Sequence, residues 1–351
     1  MIYLSIIIPV YNEERFIKQT LEMLVHQAYS PERFEIIVVD GMSTDATWSR
    51  VEQFRRENQE IAVRLFKNPG RLSSRGRNIG IRESRGALVG VIDGHVYLPN
   101  DQLFNNMERI KEKTNALCLA RPAPLDVPGL SEGVAYWISL ARKTWLGHSR
   151  NSYIYSDVEG YIDPMSSGFA YDKSVFEKVG TFDEIFDAAE DVEFHFRLKQ
   201  AGIRAYTSPN LLIYSYPRES FNSLFQQQVR YGIGRARFVY KHPGGFTKET
   251  PVPSLIVIFC VLWLISLLLF PFFPFLGMSL SAFMALYWLV LLWTGFRPAL
   301  REKRLLPGFF VAGAILTTHL GLGLGFLKTI FMNRFRKKNG REISNKTTLD
   351  H

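Results

Sequence analysis

Two cysteines in 351 residues, Cys118 and Cys260, are too few and too far apart for a disulfide framework or a thiolate metal site. Both fall in apolar runs, as expected of a reduced, cytosol-facing soluble part. No Gly-X-Gly-X-X-Gly follows the first strand-like run and no Walker sequence occurs, which excludes a Rossmann dinucleotide site and a phosphate-loop nucleotidase. No signal peptide is read at the N-terminus, where Met1 leads straight into a short apolar run. Charge is scarce: Asp, Glu, Lys and Arg together make 21% of the chain, and residues 250–296 contain none. Part of the chain is built to leave water.

The charge that is present is net positive, +9, and it is placed beside the apolar segments. Arg297, Arg301, Lys303 and Arg304 form one group, and Arg334, Arg336, Lys337, Lys338 and Arg341 another. That placement points to lipid headgroups and away from nucleic acid. The uncharged block has room for two membrane-spanning helices of ~20 residues each, with the break expected at 271–277. A third candidate, 308–332, is interrupted only by His319, read as a neutral packing histidine, and Lys328. Its Gly321, Gly323 and Gly325 permit close helix packing or a kink. A basic loop at 297–304 belongs on the cytoplasmic side, giving a cytosolic N-terminal domain and an out-and-back hairpin. The basic tail belongs there too, and three full spans would put it outside. The third segment is read as a true span, with a re-entrant or interfacial course as the alternative. The expected units are 1–245, 246–335 (helical, in or on the membrane) and 336–351 (a basic polar tail).

Four apolar, β-branched runs occupy 4–10, 34–39, 62–66 and 87–92, separated by helix-compatible stretches at 13–28, 44–58 and 73–84. This alternation predicts an α/β fold with a parallel sheet. Ligands in such sheets bind beyond the carboxyl ends of the strands. Asp40 follows the second run and Asp93 the fourth. At the end of the first, Ser5-Ile6-Ile7-Ile8-Pro9-Val10-Tyr11-Asn12-Glu13-Glu14 reads as a buried strand whose loop opens a helix with acidic residues in its first turn. It is either an ordinary strand-to-helix turn or a cradle in which Pro9, Tyr11 and Glu13 surround a nucleotide base and ribose. In Asp40-Gly41-Met42-Ser43-Thr44-Asp45, Asp45 is read as a helix cap. Asp40 is the better ligand, accepting from a base N–H or a ribose hydroxyl.

Together these stretches resemble the inverting family-2 glycosyltransferases, and the resemblance extends through the whole soluble part. It implies a GT-A nucleotide-sugar-binding domain with a mixed, mainly parallel central sheet, followed by the C-terminal helical membrane region. The segment 68–86, NPGRLSSRGRNIGIRESRG, looks like the family's basic loop and helix. Arg75 and Arg77 there, with Arg71, can neutralise a diphosphate or simply form a solvated face. Asp93-Gly94-His95 stands where the family carries Asp-X-Asp, a departure that narrows the resemblance to the succinoglycan-type branch. Asp93 and His95 are then metal ligands, and imidazole favours Mn²⁺ over Mg²⁺. The diphosphate completes the shell.

Glu190-Asp191 opens a helix whose positive end favours carboxylates. By resemblance Asp191 is the base that takes the acceptor proton, with Glu190 beside it. Gln227-Gln228-Val229-Arg230-Tyr231 resembles the Gln-X-X-Arg-Trp motif of membrane family-2 synthases. Arg230 can hold the diphosphate and Tyr231 can stack on an acceptor sugar, and the basic, glycine-spaced continuation Gly232-Ile233-Gly234-Arg235-Ala236-Arg237 can equally be an amphipathic helix on a membrane. The resemblance implies sugar transfer from a nucleoside-diphosphate sugar, expected to be a UDP-sugar, with a divalent metal. The expected acceptor is a polyprenyl-linked saccharide in exopolysaccharide or envelope synthesis. The expected location is the inner membrane, multi-pass, with the catalytic domain cytoplasmic. A polyprenyl-phosphate transferase, a processive synthase and an inactive membrane scaffold are the alternatives.

Overall fold

A computed structural model describes residues 2–148, 153–165, 167–301, 303 and 305–338, with side chains up to residue 332. Arg304 and the expected tail from residue 339 onward lie outside them. The first half follows the expected alternation: β1 (Leu4–Val10), α1 (Ile17–Val25), β2 (Phe34–Asp40), α2 (Thr47–Glu57), β3 (Ala62–Lys67), α3 (Ser73–Glu83) and β4 (Leu88–Val91). Next come β5 (Val96–Tyr97), α4 (Leu103–Thr114), β6 (Cys118–Ala120), α5 (Gly133–Arg142) and β7 (Gly160–Ile162). They are followed by β8 (Gly168–Asp172), α6 (Ser174–Val179), α7 (Glu190–Gln200), β9 (Ala205–Thr207) and β10 (Tyr214–Ser215). Four helices close the described chain: α8 (Phe221–Lys241), α9 (Val252–Leu268), α10 (Pro274–Arg301) and α11 (Leu306–Lys338).

The sheet has the order β3-β2-β1-β4-β8-β6-β9-β7. β3, β2, β1 and β4 are mutually parallel, while β8 runs antiparallel to both β4 and β6. Both faces are covered, which is why the strands read as unbroken apolar runs. Ile6 and Ile8 pack with Leu21, Leu24, Val51 and Phe54 on one face, and Ile7, Ile37 and Val39 with Ile81 and Phe194 on the other. The chain moves outward from β1 to β3 and then returns to β4 on the opposite side of β1. That reversal opens a crevice at the carboxyl ends of β1, β2 and β4.

One local expectation is corrected. Helix α1 begins at Ile17, and its first turn holds no acidic residue. Glu13 and Glu14 lie in the preceding turn because their backbone N–H groups are committed to the next loop, Glu13 to Thr47 Oγ1 (2.8 Å) and Glu14 to Asp45 Oδ2 (3.2 Å).

In the C-terminal region, α10 and α11 are long and apolar enough to cross a membrane, and α9, at 17 residues, is shorter. The turn between α9 and α10 precedes Pro274, which opens α10 as a first-turn proline does, so Gly277 lies inside the helix. The outer faces of α9 and α10 are bare, with Leu255, Leu262, Leu289 and Trp293 exposed. Helix α11 is different: it runs alongside α8 and packs on α5, where Trp137 stacks on Phe310 at 3.9 Å. His319 bonds Tyr287 Oη through Nδ1 (3.1 Å) and the Leu146 carbonyl through Nε2 (3.0 Å), tying α11 to both α10 and the sheet-bearing half.

The α8–α11 contact depends on missing side chains. A Cβ on Gly232 would stand 2.2 Å from the Leu322 carbonyl oxygen, and one on Gly325 would stand 2.1 Å from that of Val229. Of the two readings for the glycine-rich stretch, close packing is the one adopted. Gly232→Ala is therefore expected to cost about 1–3 kcal/mol, because backbone and not a movable side chain blocks the new methyl. A lowered midpoint of thermal unfolding in detergent checks this, and an unchanged midpoint contradicts it.

Candidate active site

At the carboxyl ends of β1 and β2 two loops are laced together. The Gly41 N–H donates to the Val10 carbonyl (2.8 Å), the Asn12 N–H to Ser43 Oγ (2.9 Å) and the Thr44 N–H to Asn12 Oδ1 (2.9 Å). Asp45 accepts from the Thr47 N–H at 3.0 Å, fastening the start of α2. This platform presents Tyr11 to solvent, while Pro9 lies beneath α3 beside Gly76. Asp40 is 3% exposed. Its Oδ2 accepts the Ser43 N–H (3.1 Å), but Oδ1 is buried without a partner among the described residues, and so is Asn68 Oδ1. Leaving a buried acceptor unmet costs about 1–3 kcal/mol. A bound group carrying N–H or O–H donors would satisfy both.

Beyond β4, Asp93 and His95 act on one another electrostatically. Burial pushes the Asp93 carboxyl up, but the positive charges of His95, Arg77, Arg121 and Arg218 outweigh it and hold the group below its ordinary value. His95 is pushed down by burial and raised more strongly by Glu13 and Asp93. Glu13 Oε1 lies 2.8 Å from His95 Nδ1. The residue read as a nucleoside contact thus has its carboxylate against the imidazole, and His95 Nε2 is left for another ligand. A carboxylate and an imidazole with an anionic second partner fit a divalent cation. Among the described residues no cluster of three or more His, Cys, Asp or Glu is arranged to hold a metal, so such an ion needs ligands from a bound molecule. The motif itself is pinned by Thr20 Oγ1 to the Gly94 carbonyl (2.9 Å) and by the Tyr216 N–H to the His95 carbonyl (3.3 Å).

Helix α3 connects this corner to the acidic pair. Ser74 Oγ donates to the Phe186 carbonyl (2.8 Å), and Asn78 exchanges bonds with Phe182, 2.8 Å through Nδ2 and 2.9 Å through Oδ1. The loop so held ends at Ala189, whose φ of 62° is left-handed, and α7 begins at Glu190. A non-glycine residue in that region stores strain of about 1–3 kcal/mol, a common feature of functional sites. Arg77 turns inward to Glu190 at 3.2 Å, whereas Arg75 is half exposed, 4.0 Å from Glu184. Burial raises the Glu190 carboxyl despite Arg77. Asp191 projects into solvent from the first turn of α7. One turn further on, His195 is buried with Nε2 2.7 Å from Tyr171 Oη, and burial lowers its imidazole to about 4.

Helix α8 forms the opposite wall. Ser220 and Ser223 make a reciprocal capping box at its start. The Gln227 side-chain amide lies against Arg218, and its oxygen, in the orientation that satisfies both groups, accepts from Nε at 3.1 Å and Nη2 at 3.2 Å. Arg230 donates to the Asp187 carbonyl (3.1 Å), and Lys241 and His242 reach the fully buried Glu193 at 2.6 and 3.0 Å. Tyr231 is 42% exposed, yet Asp191, Arg142, Asp93 and Arg218 all act on its hydroxyl. It lines a crevice. Gly234 lets α8 approach the acidic loop, since a Cβ there would meet the Ala188 carbonyl oxygen at 2.3 Å. Arg121, Arg142 and Arg218 stand outside the motifs, and only the fold brings them to the crevice; Arg235 belongs to the basic continuation of the Gln227–Tyr231 stretch on α8.

Residues 5–180 match the family profile described as glycosyl transferase family 2, and residues 141–298 match glycosyl transferase family group 2. A dolichyl N-acetyl-alpha-D-glucosaminyl phosphate 3-beta-D-2,3-diacetamido-2,3-dideoxy-beta-D-glucuronosyltransferase of Methanococcus voltae is 28% identical over 248 residues, 69% of this chain and 75% of that protein. The succinoglycan biosynthesis protein ExoA of Rhizobium meliloti is 25% identical over 239 residues, 68% of this chain and 70% of its own. Among solved structures, the mannosyltransferase PcManGT from Pyrobaculum calidifontis in complex with GDP-Man and Mn²⁺ superposes with a TM-score of 0.60 at 18% identity. That match covers 94% of this chain and 87% of the mannosyltransferase. At such identity the likeness shows the fold, the GT-A domain followed by C-terminal helices.

Proposed function

The chain belongs to glycosyltransferase family 2, and on that premise we propose that it transfers a sugar from a UDP-sugar, with inversion, to a lipid-linked saccharide. The observation that supports this reading is that Asp40, whose Oδ1 has no partner among the described residues, ends β2, while Arg77 and Tyr231 each feel both Asp93 and the solvent-facing Asp191. Asp40 and Asn68 accept donors from the nucleoside beside Tyr11 and Pro9. Asp93 and His95 hold a divalent cation, Mn²⁺ in preference to Mg²⁺ because one donor is an imidazole. When bound, that ion neutralises the departing diphosphate. Asp191 takes the proton of the acceptor hydroxyl, and no second carboxylate is needed for a single inverting displacement. Arg218, oriented by Gln227, adds positive charge next to Asp93, while Arg230 and Tyr231 flank the acceptor side.

A lipid-linked acceptor is supported by the apolar helices beside the crevice and by the dolichyl-phosphate-linked sugar in the name of the Methanococcus relative. The exopolysaccharide setting is supported by the name of the Rhizobium relative. For location, α10 and α11 are the two helices long and apolar enough to span a membrane, with the shorter α9 packed beside them. Two crossings keep the sheet domain and the end of α11 on the cytoplasmic side, with the basic end of α10 opposite, and remove the conflict of three full spans. Donor screening by UDP or GDP release in membranes tests the function, with lipid phosphate and lipid-linked saccharide offered in parallel. Release that depends on the saccharide supports the reading. Release driven by bare lipid phosphate would favour the polyprenyl-phosphate transferase, and no release at all the scaffold.

Glu13 supplies a further prediction. With His95 in place of a second carboxylate, the missing negative charge is restored one bond further out by Glu13. Glu13→Gln is expected to weaken Mn²⁺ binding in the presence of nucleoside diphosphate by about 10–100-fold. Titration followed by electron paramagnetic resonance of free Mn²⁺ measures it, and unchanged affinity would deny Glu13 that role.

A further inference from the structure

Two arginines at the crevice form no ion pair within 4 Å among the described residues. Arg142, at the end of α5, donates to the Gly147 carbonyl (3.2 Å), and Arg235 projects from α8 one turn beyond Tyr231. Arg77, Arg197 and Arg230, by contrast, all form one. Both act on His148, whose imidazole is brought to about 3, by burial first and then by their two charges. His148 packs edge-on against Tyr155, with ring centroids 5.9 Å apart. His148 Nε2 is buried without a partner among the described residues, and the Tyr155 hydroxyl beside it is buried and reached by the Leu125 backbone. Asp191 acts on Arg235, which lies exposed in the crevice wall. Two guanidinium groups without an ion pair among the described residues and one unmet imidazole nitrogen therefore border the space beside the proton acceptor.

The surroundings indicate where an anion there would lead. Helices α5 and α8 both rest on α11, through Ile138, Leu140 and Ala141 from α5 and Leu224 from α8, in one apolar cluster with Val311, Ala312 and Ile315. Across α11 this cluster reaches Leu291 of α10, whose outer face is bare. The groove thus passes from Asp191, past the two guanidinium groups, to apolar helices. A sugar hydroxyl, an anion and a hydrocarbon chain come in that order in a lipid-diphosphate-linked sugar.

We propose that Arg142 and Arg235, with Tyr155 and His148, form the site for the phosphate or diphosphate that joins the acceptor sugar to its lipid. This deepens the lipid-linked reading above and rests on it. Guanidinium–phosphate bonds are charge-assisted and bidentate where geometry allows, so their loss is felt in acceptor recognition. Its test compares two acceptors bearing the same sugar, a prenyl diphosphate and an uncharged alkyl glycoside, with the full chain in detergent. In Arg142→Gln/Arg235→Gln, kcat/KM for the diphosphate acceptor is expected to fall roughly tenfold or more relative to the alkyl glycoside. A ratio equal to that of the unaltered protein overturns the proposal.

If the unaltered protein uses the alkyl glycoside but never the diphosphate acceptor, the lipid-linked reading itself fails, a result visible without any variant. Should the double variant not fold, the unaltered protein decides. Sugar-free prenyl diphosphate is expected to compete with the acceptor and not with the donor. Absence of that competition, or equal competition by inorganic pyrophosphate, overturns the lipid-anion site.

Discussion

Asp191→Asn is expected to lower kcat by about 10²–10⁴-fold while leaving the KM for the donor nearly unchanged. The amide is the same size as the carboxylate and cannot accept the acceptor proton. Asp191 is exposed at the start of α7 and bonds no other side chain among the described residues, so the substitution is not expected to disturb packing. The neighbouring Glu190 provides the contrast: it is buried against Arg77, and Glu190→Gln removes the partner of a buried guanidinium. Single-turnover transfer therefore separates the two carboxylates. Asp191→Asn lowers the chemical step in a protein of ordinary melting temperature, whereas Glu190→Gln lowers the melting temperature itself. Undiminished turnover in Asp191→Asn would move the base elsewhere.

What was legible in the sequence follows from what is local. β1, β2 and β4 are buried parallel strands, so each reads as an apolar run, and Asp40 and Asp93 stand out because they come at the ends of those runs. The start of α1 was misplaced because hydrogen bonds from a loop about thirty residues away, at Asp45 and Thr47, decide it. Arg77 read as a diphosphate ligand or a solvated residue from its basic neighbourhood. Its inward turn depends on Glu190, which the sheet brings close only after β8 and α6 have formed. Helix α8 was legible as a motif and as an amphipathic candidate. That Gly232 faces α11 while Gly234 faces Ala188 required both partners in place, since glycine states that something is close without saying what. Arg142 has no pattern around it in the sequence, and Arg235 is legible only as part of a basic helix face, since which arginine faces the crevice depends on α5, α7 and α8 together.

Arg77→Met should be among the most destabilising single changes in the sheet domain. Its side chain is only 14% exposed and Glu190's 8%, and the guanidinium also lies over the Phe182 ring at 5.2 Å. Breaking a buried pair from one side costs about 3–5 kcal/mol, because the remaining charge is left without compensation. Replacing both residues, as in Arg77→Met/Glu190→Met, is expected to recover most of that loss, since two apolar side chains need no partner. The sign of the pH dependence follows from Glu190. Burial already raises its carboxyl above the ordinary glutamate value, and Arg77 is the principal group lowering it. Without Arg77 the folded value rises further, so the added penalty is smallest below about pH 4.5, where Glu190 is protonated folded or unfolded. It grows as pH rises through the folded value. Thermal unfolding at pH 5 and pH 8 should show the gap between Arg77→Met and the unaltered chain widening with pH, and the double variant should show no such widening. A gap independent of pH would mean that Arg77 acts through packing on Phe182 and not through the charge of Glu190.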